Sequence, residues 1–296
     1  MTRFLAIAPL LAALALAPAS ARAQNLDLGG TPGAAPLPIN ITAAGGISWS
    51  QDAQTVTASG NAQAVRGNVT VTADELVAHY KKSATAAAST PAAVPADSLE
   101  QGGGQLTELD AIGHVHIFTP TENAWGDRAV YSMAAKVLVL TGQHLKLTTP
   151  HDVITARDSV EYYTDAHKAI ARGDALIVAD DGRSIAADVI TGYLASGPTP
   201  AATADLDNAG SLQRVEAVGH VTIHTISDTA TGDEGVYLPP TGQARLGGDV
   251  HIIHGPNELE GADALVNMKT GIATLLAAPG GQVSGVILPG SGGSKN

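Results

Sequence analysis

A stretch of 21 residues that occurs twice constrains this chain more than any other feature. Ala111 to Tyr131 reads AIGHVHIFTPTENAWGDRAVY, and Ala217 to Tyr237 reads AVGHVTIHTISDTATGDEGVY. Each copy holds a Gly with apolar residues two and four positions further on (Val115 and Ile117; Val221 and Ile223). A polar stretch, a Gly-Asp pair and a Val-Tyr pair follow. Apolar residues alternating with period two mark a strand with one buried face, so each copy predicts a strand, a turn and a second strand. Weaker copies open at Gly60, Gly142, Gly173 and Gly248, which makes six units. Repeats of roughly 30 residues predict a stacked or rolled architecture in which each unit covers its neighbour's apolar face.

The ends and the composition bound the rest. Residues 1–23 combine Arg3, an apolar run from Phe4 to Pro18 and an Ala21-Arg22-Ala23 cleavage signal, the pattern of a cleavable secretory signal peptide. The apolar run is too short to span a bilayer. The signal takes two arginines and no acid with it. The remaining chain has 14 basic and 28 acidic side chains, a net charge of −14. That balance argues against nucleic acid as a partner. The chain has no Cys, so neither a lipid attachment site nor a disulfide is available. Residues 24–38 read as a Gly/Pro-rich, flexible lead-in and 39–278 as one β unit. Low-complexity insertions fall at 81–104 and 195–210, and 279–296 is a Gly-rich tail around Val286-Ile287-Leu288.

The alternation assigns faces. The inward candidates are Ala62, Ala64, Val69, Val71, Val115, Ile117, Leu145, Leu147, Ala175, Ile177, Val221, Ile223, Val250 and Ile252. Between them stand polar residues such as His114, His116, Lys146, His220 and His251. Adjacent strands with this pattern form a continuous aliphatic surface. The side chains are modest, and periodicity alone fits a dry sandwich core and a ligand slot equally.

Residues 41–80, ITAAGGISWSQDAQTVTASGNAQAVRGNVTVTADELVAHY, resemble the start of an OstA/LptA-type domain, the periplasmic lipopolysaccharide-transport family. The likeness lies in Gly60 with Ala73-Asp74, Gly113-His114-Val115 with Gly126-Asp127, and Gly219-His220-Val221 with Gly232-Asp233. It covers about 41–276 with the two insertions unmatched. It implies an all-β fold: an elongated, open β-jellyroll of two facing antiparallel sheets built from repeated strand-turn-strand units. It also implies a function, the carriage of lipopolysaccharide from inner to outer membrane with the acyl chains between the sheets. The implied partners are lipopolysaccharide and the inner- and outer-membrane components of the transport system. These would join through edge strands near Ile39 to Trp49 and Glu258 to Leu276, with head-to-tail homo-oligomers as a further option.

Other chemistry is weaker. His114 with His116, and His220 with His224, share strand faces in the manner of zinc sites, but they alternate with inward positions and read as solvent-facing; no metal and no cofactor is expected. The sequence lacks GxSxG, HExxH and P-loop motifs. Asp74, Asp127, Asp158, Asp188, Asp233 and Asp263 recur once per unit and read as turn residues rather than catalytic carboxylates. The rival architecture is a secreted parallel β-solenoid with a structural or adhesive role and no lipid ligand.

Overall fold

The structure, a computed structural model, describes residues 39–82, 104–195, 212–277 and 281–286. The expectations for the signal peptide, the lead-in, the bulk of both insertions and most of the tail lie outside the described residues. The described residues form eighteen strands and no helix. The first six are β1 (Asn40–Thr42), β2 (Gly46–Ser50), β3 (Thr55–Arg66), β4 (Val69–Lys82), β5 (Gly104–Phe118) and β6 (Asn123–Ser132). Six more are β7 (Val137–Thr141), β8 (Leu145–Thr148), β9 (Asp152–Ala156), β10 (Ser159–Tyr163), β11 (Lys168–Ala179) and β12 (Ser184–Leu194). The last are β13 (Leu212–His224), β14 (Asp228–Leu238), β15 (Gln243–His254), β16 (Asn257–Asn267), β17 (Ile272–Leu276) and β18 (Ser284–Val286).

Every pairing among them is antiparallel, and successive long strands are neighbours. This removes the parallel solenoid. Short connections make such a meander the simplest outcome for strand-turn-strand units.

The repeated Gly lies inside a strand, not at its head. On β5 and β6, Ile112 opposes Arg128 and the next pair is Val115 with Gly126, so Gly113 and His114 together face Asp127. Gly113 has φ +76° and His114 φ +46°. Gly60-Asn61, Gly173-Asp174, Gly219-His220 and Gly248-Asp249 repeat this left-handed double step. Such bulges bend a strand sharply. Because they fall in register on alternate strands, with the strand between following the same bend, each long strand turns one corner and belongs to two layers. Where the corner widens into a break, two short strands replace one long one: β7 with β8, and β10 with β9.

Layer A contains β2, β7, β10, β17 and the parts of the long strands that pair with them, such as 104–112 of β5 and 212–218 of β13. Layer B contains β1, β8, β9, β18 and the remaining parts, such as 115–118 of β5 and 221–224 of β13. The layers face each other. A methyl at Gly126 in layer B would meet Leu140 Cδ1 of layer A at 2.8 Å, and one at Gly232 in layer B would meet Leu246 Cδ2 of layer A at 3.2 Å. A single buried cluster unites Ala111, Leu140, Val215 and Leu246 of layer A with Val115, Leu145, Val221 and Ile252 of layer B. This is the expected all-β jellyroll of facing antiparallel layers. Among the described residues, backbone ladders join the layers only along the corner. The strand ends opposite the corner form a mouth.

The recurring Asp residues also need correction: Asp74, Asp127, Asp188, Asp233 and Asp263 lie mid-strand at the corner and Asp158 in the bend between β9 and β10. A Cβ on Gly113, Gly142, Gly173, Gly219 or Gly248 would collide with Asp74, Asp127, Asp158, Asp188 or Asp233 respectively. In these five pairs one unit's carboxylate therefore packs over the next unit's glycine, and an added Cβ would have to displace it. The pattern Gly-x opposite Asp is the stacking contact of the repeat.

Candidate functional site

The candidate site is the space between the layers. All fourteen inward candidates fall on layer B. Ala62, Val69, Val115, Ile117, Leu145, Ala175, Val221, Ile223, Val250 and Ile252 are buried to 2% exposure or less. Ala64, Val71, Leu147 and Ile177 are half-buried. The opposite wall, from layer A, is absent from the sequence reading. It includes Ala111, Ala129, Leu140, Ile190, Val215, Ala217, Leu246 and Ala264. Its signal was present: in Leu109-x-Ala111-x-Gly113 and Val215-x-Ala217-x-Gly219 the same alternation runs N-terminal to each glycine. Taking the glycine as the start of the strand discards it.

The interior is closely packed. A cavity of about 10 Å³ lies between the layers, lined by Val215, Ala217, Gly235, Val236 and Tyr237 of layer A and by Ile185, Val221 and Ile223 of layer B. That is about the space one water needs, and an aliphatic lining leaves such a space dry.

Polar groups stand at the corner and at the mouth. At the corner, His114 Nδ1 lies 2.8 Å from Asp74 Oδ2, and His220 Nδ1 lies 2.9 Å from Asp188 Oδ2. The hydrogen bond and charge of Asp74 raise the His114 pKa, and those of Asp188 raise that of His220. Their side chains are 90% and 91% exposed, as the alternation predicts. His224 is exposed too, whereas His116 is half-buried between Phe118 and Trp125. At the mouth, Arg183 of layer B pairs with Asp181, Nε to Oδ2 at 2.6 Å, and its charge acts on the Tyr237 hydroxyl of layer A, whose pKa burial raises and Arg183 lowers. Arg183 Nη1 is buried without a partner.

Two sets of three side chains bring potential metal-ligating atoms within 4.8 Å of one another: His79, Glu108 and Asp110, and His251, Glu258 and Glu260. In the first, Asp110 already accepts from Arg128 Nη2 at 2.8 Å and lies 3.1 Å from His79 Nε2. In the second, His251 Nδ1 lies 3.5 Å from Glu260 and 3.8 Å from Glu258. Both sets are ion-paired clusters. Of the four histidines weighed from the sequence, none belongs to either.

Fold and interior together define a two-layered antiparallel β-jellyroll with an aliphatic interior. Residues 41–168 match the family model described as LptA/(LptD N-terminal domain) LPS transport protein. Among solved structures, the chain is similar to LptH, the LptA homologous periplasmic component of the lipopolysaccharide transport device of Pseudomonas aeruginosa. The identity is 17%, over 47% of this chain and 95% of that one, with a TM-score of 0.38. No curated protein matches the chain.

Proposed function

We propose that this protein is a periplasmic, non-enzymatic carrier or bridge for lipopolysaccharide on its way from inner to outer membrane. The observation that carries this reading is the interior: an aliphatic surface shared by two layers that, among the described residues, backbone ladders join along one corner only. The fourteen layer B candidates and the facing layer A residues would hold the acyl chains. Burial of hydrocarbon is favourable by roughly 0.8 kcal/mol per CH₂.

The cavity of about 10 Å³ is far below the roughly 300–1,000 Å³ of ligand pockets. Acyl chains would therefore enter as the layers part at the mouth and pivot about the corner. Both ends of the ladder offer edges for strand addition. Among the described residues, β1 and β2 at one end pair only with β3, and β17 and β18 at the other pair only with β16. Ile47, Trp49, Ile272 and Val286 are exposed there. These edges would receive inner- and outer-membrane components or further copies of the chain head to tail.

The test is a photo-crosslinking residue at Ile117 or Ile223 in layer B and at Ala217 in layer A, with illumination in cells. Lipopolysaccharide adducts on both walls are expected. If no interior position crosslinks lipid, the carrier reading fails. The rival that the tight packing favours, a structural β-protein without ligand, then takes its place.

A further inference from the structure

The outer face of layer A carries one cluster that lipid carriage does not use. His79 on β4 and Glu108 on β5 are directly paired across the ladder, and Asp110 lies two residues further along β5. Period two puts Glu108 and Asp110 on one face, and facing partners such as His79 and Glu108 hold their Cβ atoms about 5 Å apart. A register shift interrupts the ladder next to this pair, and Thr107 Oγ1 donates to the His79 carbonyl oxygen at 3.1 Å. Irregularities of this kind re-aim the side chains beside them. The cluster stands near the place where the chain leaves the sheet after Lys82 and re-enters it at Gly104.

Asp110 anchors the cluster. Its side chain is 7% exposed, against 38% for His79. Arg128 Nη2 donates to Asp110 Oδ1 at 2.8 Å, which leaves Oδ2 beside His79 Nε2 at 3.1 Å. Two ligand atoms on one tetrahedral zinc, with bonds of about 2.0–2.1 Å, stand roughly 3.3–3.4 Å apart, so this pair already has nearly that spacing. Glu108 brings a carboxylate oxygen within 4.8 Å of both atoms. Among the described residues it has no hydrogen bond or ion pair of its own. Rotation about its broad terminal torsion narrows the remaining gap. Pairing with Arg128 thus explains Asp110 but not Glu108. A second carboxylate this near a buried one is unfavourable unless a positive charge stands between them. The Arg128 bond to the far oxygen of Asp110 is how outer partners orient a ligating carboxylate.

We propose that His79, Glu108 and Asp110 bind one zinc ion on the outer face of layer A. One imidazole nitrogen and two carboxylate oxygens suit a zinc-like transition metal, whereas magnesium and calcium take larger sets of oxygen ligands. Three protein ligands leave a fourth position for water. The ion ties β4 to β5 and fixes the two strand ends from which residues 83–103 leave the sheet. The second His–Glu set, His251 with Glu258 and Glu260, lacks a buried anchor: its side chains are 44–54% exposed. Pairing histidines within single strands passes over the first set, because its ligands come from two strands that meet only across residues 83–103. The site depends neither on lipid binding nor on the compartment, so its failure and that of the carrier reading are separate outcomes.

The test is calorimetric titration of zinc chloride into the mature chain after treatment with a chelator. One zinc per chain binds in the micromolar range or tighter, and the melting temperature rises with zinc. Glu108→Gln and, separately, His79→Gln weaken zinc binding by about tenfold or more, while the metal-free variants keep the wild-type melting transition. His251→Gln, in the other set, leaves zinc binding unchanged. A wild type that binds no zinc at micromolar concentrations overturns the proposal, as does undiminished binding by both variants. Equally tight binding of magnesium chloride overturns it too, since that marks only an acidic surface. Zinc binding lost in His251→Gln and kept in Glu108→Gln likewise overturns it and moves the ion to the second set.

Discussion

The corner contact makes a quantitative prediction through Gly219→Ala. Gly219 has φ +82°, and a Cβ there would drive into the Asp188 carboxylate. Two costs separate. Left-handed backbone costs an L-residue roughly 1–2 kcal/mol. Displacing a packed neighbour costs about 1–3 kcal/mol more, since Asp188 is held by His220 Nδ1 at 2.9 Å. The expected loss is about 2–5 kcal/mol. Gly182 is the control: its φ is +85°, and nothing lies within 4 Å of an added Cβ. Gly182→Ala should lose only the backbone part, roughly 1–2 kcal/mol. Adding Asp188→Ala to Gly219→Ala removes the collision, so the double variant should recover part of the loss, with a coupling of about 0.5–3 kcal/mol. Urea unfolding of the wild type, Gly219→Ala, Gly182→Ala, Asp188→Ala and the double variant measures all five, with slopes unchanged if only the native corner is affected. Equal losses at Gly219 and Gly182, or no recovery in the double variant, would refute the stacking role given to the Asp.

Two further predictions concern polar groups. His220 should titrate above 6.5 by NMR, its pKa raised by the hydrogen bond and charge of Asp188 and further by Asp233, and Asp188→Asn should bring it down. Because the folded-state pKa is the higher one, the pair's stabilisation is complete below the unfolded value and is lost as pH rises through the folded one. Stability should therefore fall slightly as the solution passes from mildly acid to neutral, and this slope should be shallower in the Asn variant, where, of the two histidines with a raised pKa, His114 alone keeps its Asp partner. At the mouth, Tyr237→Phe removes the hydroxyl that lies near the Arg183 charge across the layers, and stability should fall by less than about 1 kcal/mol. On the carrier reading it should also speed uptake of a fluorescent acyl probe; slower uptake would count against entry at the mouth.

How much could be read in the sequence depended on which property the backbone fixes locally. Period-two alternation at Val115-x-Ile117 and Val221-x-Ile223 placed strands and faces correctly, because side-chain direction in a strand follows from the pleat alone. The bulge did not announce itself. A glycine at φ +76° inside a strand and a glycine in a turn look alike in sequence, so Gly113 reads as a boundary and the strand's first half is lost. Layer A vanished from the candidate site for that reason. The Asp misreading has a related cause. Asp127 beside Gly126 satisfies every local turn criterion, yet its partner is Gly142 of the next strand, a contact that exists only after stacking.

The tight interior and the carrier reading are compatible once the exchange of contacts is considered. Parting the layers separates Leu140 from Gly126 and Leu246 from Gly232, which are aliphatic contacts without hydrogen bonds. If water filled the gap, the walls would lose their burial and the closed state would prevail. If acyl chains fill it, each wall keeps apolar neighbours, and the hydrocarbon leaves water at a gain of roughly 0.8 kcal/mol per CH₂. Backbone hydrogen bonds need not break, because they run between neighbouring strands within each layer and not across the interior. The polar cost is concentrated at the mouth, at Arg183 and Tyr237. A slot that stays shut when empty and opens only against hydrocarbon keeps its apolar walls from water throughout, which a permanently open trough of the same residues would not.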